Sequence, residues 1–238
     1  MKWGVLLGLL FYLGMLSAQA PATWGAKLGM NLSQHYGNKS DAEDYNVKSG
    51  VRAGISGGAF LDFAANDNLS LGFEALYSMK GSRQKIRIST MELDGVYEEL
   101  AKPATMDVRY YIDYLEIPVL FKIKTLSVGK LDLWAVTGTA MSLKLKGHHD
   151  LDGTVWFPND DGSFTTFDIR ESSNLKDINI FDFSFVYGGF IDLGRSFPLS
   201  IEYRFTLGWD YLHLPTYNLF EPVALRNQAY SVYISKTF

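Results

Sequence analysis

"DYLEIPVLFKIK", residues 113–124, alternates apolar and polar side chains, yet it carries Pro118 mid-run and charges at Glu116 and Lys122. Read with a period of two, the conflict resolves. Leu115, Ile117, Val119, Phe121 and Ile123 fall on one face, and Tyr114, Glu116, Pro118, Leu120 and Lys122 on the other. The charges point away from the apolar layer. Proline removes a ladder donor, so Pro118 predicts a bulge or a locally open hydrogen bond, placed where Glu116 reaches a basic partner.

The same split recurs along the chain. "TWGAKLGMNLSQ" sets Trp24, Ala26, Leu28, Met30 and Leu32 against Gly25, Lys27, Gly29, Asn31 and Ser33. "RAGISGGAFLDF" puts Arg52, Gly54, Ser56, Gly58, Phe60 and Asp62 on one face, and "LSLGFEALYSMK" opposes its apolar row to Ser70, Gly72, Glu74, Leu76, Ser78 and Lys80. "LSIEYRFTLGWD", "NIFDFSFVYGGFIDLG" and "QAYSVYISKTF" behave likewise. "KLDLWAVTGTAMSLKLK", residues 130–146, is apolar on both faces and its register stays open. This predicts about eight strands. Short connections at 65–68, 125–130 and 194–198 alternate with long ones at 35–50, 81–107, 147–177 and 211–226. Within the third long one, "TVWFPNDDGSFTTF" reads as a hairpin that prolongs the strands, with "PNDDG" as its tight turn.

The expected fold is all-β, an antiparallel up-and-down transmembrane β-barrel of about eight strands, occupying residues 23–238. A soluble sandwich, or a soluble barrel with its apolar face inward, also alternates. What favours the membrane form is a polar face rich in Gly, Ser and Asn with balanced charges, which suits a narrow lumen. The expected lumen charge network is Lys27, Arg52, Asp62, Glu74, Glu116, Lys122, Glu202 and Arg204, since unpaired charges there are costly. A closed barrel also satisfies every backbone group, as hydrocarbon demands.

Composition agrees. The 238 residues carry 15% aromatics, no cysteine and a net charge of −4. The negative balance, with no basic stripe, argues against nucleic acid. Lys2, an apolar run from Val5 to Leu16 and the small residues of "SAQAPA" form a secretory signal peptide over residues 1–22, with cleavage after Ala20 or Ala22. The chain ends "AYSVYISKTF", with Tyr230, Val232, Ile234 and Phe238 on one face. A terminal aromatic closing such a strand is the usual signal for the barrel assembly machinery, the expected partner besides outer-membrane lipid.

"GAKLGMNLS", "SGGAFLDF", "LSLGFEALYSMKG", "DYLEIPVLFKIK", "YGGFIDLG" and "SVYISKTF" together resemble the outer-membrane β-barrel family that includes the PorT-like proteins, often labelled porin-family. Tyr114, Leu115, Glu116, Ile117 and Pro118 are the most specific match. The resemblance implies an eight-stranded barrel in a Gram-negative outer membrane and little about activity.

No motif points to an enzyme, a cofactor or a metal. His35, His148, His149 and His213 are predicted to lie in outer loops, and His148 and His149 beside Asp150 and Asp152 lack a metal-specific spacing. Ser142 and Ser231 have no nucleophile signature. Eight strands leave an interior filled by side chains. The expected role is structural support, or surface contact with an envelope protein or glycan through the outer loops. A narrow transporter or secretion-accessory barrel is the alternative, and an outer-rim hydrolase is third.

Overall fold

The computed structural model describes residues 21–37, 46–93, 96–159, 161–175, 178–194, 197–209, 212–213 and 224–238. The expected signal peptide lies outside them apart from Pro21 and Ala22, as do residues 38–45 and 214–223 of two long connections. Eleven strands are present: β1 (Ala22–Gly37), β2 (Asn46–Gly50), β3 (Arg52–Asn66), β4 (Leu69–Leu93), β5 (Val96–Val128), β6 (Leu131–Pro158), β7 (Phe164–Asn174), β8 (Phe181–Asp192), β9 (Leu199–Gly208), β10 (Leu212–His213) and β11 (Ala224–Thr237).

Three of them are side strands: β2 pairs β4, β7 pairs β6 and β10 pairs β11. The other eight form an antiparallel ring in the order β1-β3-β4-β5-β6-β8-β9-β11. β1 closes on β11 over a register running from Gly25↔Thr237 to Gly37↔Leu225. Closure leaves no ladder edge in the ring.

Lumen-facing and outward residues alternate as the sequence predicts. Lys27, Asn31, Glu74, Glu116, Lys122, Glu202 and Arg204 are buried, while Leu28, Met30, Ile55, Phe121, Ile201 and Ile234 are exposed. The distribution is inside-out relative to a soluble protein, where large contiguous apolar surfaces are rare and buried charges rarer. The open register of 130–146 is settled too. Val136, Ala140 and Ser142 face inward, and Val136 and Ala140 pack with Leu120 and Val186. That patch of lumen wall is apolar, so both faces of the segment read alike in the sequence.

Pro118 sits inside the ring without a bulge. Toward β6 it pairs with Ala140 in an unshifted register. Toward β4 the ladder runs Phe73↔Val119 and resumes at Leu76↔Glu116, with the same register and no paired residues between. The missing proline N–H opens the ladder locally and leaves the strand in line. The nearest bulge lies between Asp113 and Tyr114, where β6 carries Leu145 as the extra residue.

One sequence expectation needs correcting. Residues 81–107 are not a long loop. β4 and β5 run on as a hairpin to Leu93↔Val96, and β6 and β7 do so to Pro158↔Phe164. In these extensions the sign of the alternation reverses. Val108, Tyr110, Ile112, Leu151 and Val155 face inward into an apolar core, while Arg83, Lys85 and Arg109 are exposed. Water, not lipid, wets the outside there.

Candidate functional site

The lumen is built by alternating strands whose inward positions converge on one axis. Near its middle, Lys27 of β1, Glu74 of β4 and Glu202 and Arg204 of β9 form a closed ring of ion pairs. Lys27 Nζ lies 2.7 Å from Glu74 Oε1 and 2.6 Å from Glu202 Oε2. The Arg204 guanidinium donates to Glu74 at 2.9 and 3.0 Å and to Glu202 through Nε at 2.9 Å. The four side chains are at most 4% exposed. β4 and β9 are not neighbours in the ring, so these bonds cross the lumen. Two cations and two anions balance, and Tyr233 lies under both cations, 5.1 Å from Lys27 Nζ and 5.2 Å from the Arg204 guanidinium.

The other expected network residues take different places. Lys122 Nζ binds Asp62 at 2.7 and 2.8 Å toward the short-turn end. Glu116 pairs with Lys80, a lumen cation the expected network omits although it lies on the polar face of its strand, and accepts a bond from Ser142. Arg52 does not join the carboxylates. It sits where β2 hands over to β3 alongside β4, crosses Gly81, donates to the Lys80 carbonyl and stacks 4.4 Å over the Tyr111 ring.

A second polar group lies above. Asn227 Nδ2 donates to Asp182 Oδ2 at 2.7 Å and to the Tyr114 hydroxyl at 3.1 Å, again across the lumen. His35 Nδ1 is 2.7 Å from Ser82 Oγ. Both are 1% exposed, so this pair meets no substrate.

The expected loop histidines are strand residues. His35 closes β1 inside the barrel, and His148 and His149 lie in β6. Successive strand residues face opposite ways. His148 therefore stacks outward on Tyr111 with ring centroids 4.5 Å apart, and His149 packs inward beside Tyr110. Burial lowers the His149 pKa. Two histidines on opposite faces cannot share an ion, and no metal-holding cluster occurs among the described residues. The backbone of His213 pairs with Ala224, and its side chain lies outside the description. "PNDDG" is a turn: Gly162, at φ +79°, donates to the Asn159 carbonyl at 3.0 Å.

Over the polar lumen sits the apolar core of the extensions, with Tyr110, Ile112, Leu151, Leu175, Leu212 and Leu225 packed together. Outside it, the Arg83 guanidinium grips Asp107 and holds that carboxyl below its usual range.

The outer membrane protein beta-barrel domain model matches residues 17–209. The chain belongs to that family. It is a bacterial outer-membrane β-barrel protein. No curated protein sequence matches it significantly. Similar solved structures include the attachment invasion locus protein Ail of Yersinia pestis in complex with the heparin analogue sucrose octasulfate (10% identity, 91% of this chain and 99% of that one, TM-score 0.34). Neisserial surface protein A is another (12%, 92% and 99%, TM-score 0.38). A third is the translocator domain of the autotransporter NalP from Neisseria meningitidis (10%, 100% and 96%, TM-score 0.28).

At the short-turn end of the barrel lies a cavity of about 320 Å³, lined by Asp62, Lys122, Trp134 and Phe190 among others and bounded by Lys27 and Glu202 of the ion-pair ring. Trp134 and Phe190 stack at 5.5 Å on one wall. The described geometry thus holds a charge-filled lumen, an apolar core over it on the hairpin side and a raised sheet.

Proposed function

We propose that the protein is a non-enzymatic, non-conducting membrane anchor that presents the β4–β5 and β6–β7 hairpins at the cell surface for contact with other molecules. The supporting observation is the ion-pair ring spanning the lumen beneath an apolar core. An ion crossing it would have to displace four mutually neutralised, buried charges and then enter a greasy plug, a steep desolvation cost. The refolded protein in planar bilayers should give no stable conductance steps. Large, long-lived steps would overturn the reading. Contact through the hairpins is tested by replacing residues 154–167 with a two-residue turn. Binding of purified barrels to envelope extracts or glycan arrays should fall while the gel mobility of the folded barrel stays unchanged.

The alternative, a narrow transporter or secretion-accessory barrel of PorT-like type, draws support from the cavity at the short-turn end with its aromatic wall. It predicts periplasmic partners that are retained on the barrel and lost when Trp134 is replaced by alanine.

Export by residues 1–22 and insertion by the barrel assembly machinery belong to the same proposal. Tyr230, Val232, Ile234 and Phe238 are all exposed on the outer face of β11, and Phe238 packs on Trp24 at 4.8 Å. Deleting Phe238 should slow assembly in cells several-fold, read by pulse-labelling and heat-modifiable migration. Refolding of the purified chain into detergent should be nearly unaffected, because only one rim contact is lost. Equal slowing in both settings would make the residue a stability element rather than a signal.

A further inference from the structure

The edge of β7 is unusual. Among the described residues this strand pairs only with β6, in a constant register from His148↔Asn174 to Pro158↔Phe164. Its 11 residues are exposed or half-buried throughout, with Phe164 at 60% and Phe167 at 53% exposure. Edge strands are normally blunted by charged side chains, lysine above all, or by proline, a bulge or shortness; β7 carries charge at Asp168, Arg170 and Glu171, but of both signs. β7, "FTTFDIRESSN", has no lysine or proline, and its ladder has no bulge. It lies beside the extension of β6, beyond the residues that β6 pairs with β8.

The strand is self-complementary. In an antiparallel pair of two copies, the register that engages all 11 residues runs Phe164↔Asn174 and centres on Ile169. That register sets Asp168 opposite Arg170 of the other copy, twice by symmetry, on one face of the joined sheet. Shifts that centre on Asp168, Arg170 or Glu171 put like charges opposite each other, which is unfavourable. Asp168 accepts one bond from Thr154 and keeps a second oxygen, and Arg170 is held only loosely, 3.8 Å from Asp152 with a 79% exposed side chain.

The symmetry fixes where the second copy comes from. The two-fold axis of an antiparallel pair that continues a sheet runs normal to the sheet. These strands stand in the barrel wall, so the sheet normal lies near the membrane plane. Rotation by half a turn about it inverts the second barrel. We infer that β7 is a docking edge for β7 of a second copy in a facing membrane, joining two outer membranes by strand addition. This rests on the reading of the raised sheet as a contact surface and names its partner.

Phosphatidylcholine vesicles carrying the refolded protein test it by light scattering. Protein-bearing vesicles should cluster with one another and not with protein-free vesicles. Asp168→Arg or Arg170→Asp alone places like charges opposite at both sites and should lower clustering about tenfold. The double exchange Asp168→Arg/Arg170→Asp restores opposite charges and should restore clustering. Gel migration verifies that each variant is folded. Recruitment of protein-free vesicles, unchanged clustering in the single variants, or failure of the double exchange to recover would each overturn the inference. If folded wild-type vesicles stay dispersed, self-pairing is refuted. Retained hairpin-dependent binding to envelope or glycan targets would then leave the contact-surface reading standing.

Discussion

Glu74→Ala should destabilise the barrel by about 3–5 kcal/mol. Glu74 is fully buried and accepts three bonds, one from Lys27 and two from Arg204. Without it the ring keeps two cations and one carboxylate, and the apolar core closes the hairpin side, so the surplus charge faces water only through the cavity at the short-turn end, which Lys27 and Glu202 line. The penalty is that of a stranded buried charge rather than the net worth of an ion pair. A double variant separates the two. Lys27→Met/Glu74→Ala leaves Arg204 and Glu202 as a neutral pair, and should be more stable than Glu74→Ala alone by about 1–3 kcal/mol. Urea midpoints of the refolded protein in detergent, compared at constant slope, measure both. If Glu74→Ala lies within about 0.5 kcal/mol of wild type, water reaches the ring and the plugged lumen is refuted.

How far the sequence carries this architecture depends on which solvent wets each strand. Inside the membrane, outward residues meet lipid and inward ones meet charge. Leu115, Ile117 and Phe121 therefore contrast sharply with Glu116 and Lys122, and the eight ring strands are legible. Above the membrane both contrasts reverse. "RQKIR" on β4 and "MDVRYYI" on β5 put polar residues out and apolar ones in, the pattern of a soluble sheet. Without knowing where lipid ends, the reversal looks like the end of the strand, so residues 81–107 read as loop and His148 and His149 went with them. Leu145 adds a second confusion, because its bulge shifts the parity of β6 in mid-strand. In the lumen, the facing charges of Lys27, Glu74, Glu202 and Arg204 are legible as inward positions, but their partnership is not. Pairing across a closed ring depends on strand stagger, which no local pattern encodes. Arg52 shows the opposite failure: its position predicts the lumen, and its guanidinium instead binds the Lys80 carbonyl and stacks on Tyr111.

Gly58→Val should block barrel formation, or cost at least about 3 kcal/mol where folding still occurs. Inward glycines look in the sequence like relief for a crowded lumen, and the geometry locates the crowding in the backbone itself. A Cβ on Gly58 would lie 2.0 Å from the Ala75 carbonyl oxygen and 3.0 Å from the Leu76 Cα of the adjacent strand. No rotamer relieves a clash at Cβ, so β3 and β4 would have to part. That opens the ladder beside Phe60↔Glu74 and loosens Glu74 in the ion-pair ring. Gly50 is the control. Its Cβ would meet nothing closer than 3.4 Å, and Gly50→Ala should stay within about 0.5 kcal/mol of wild type. Folded fraction by gel migration, followed by urea titration of what folds, reads the difference. Equal tolerance at both positions would show that strand spacing in the wall is adjustable. The close approach of β3 to β4, and with it the narrow lumen on which the ion-pair ring depends, would then be wrong.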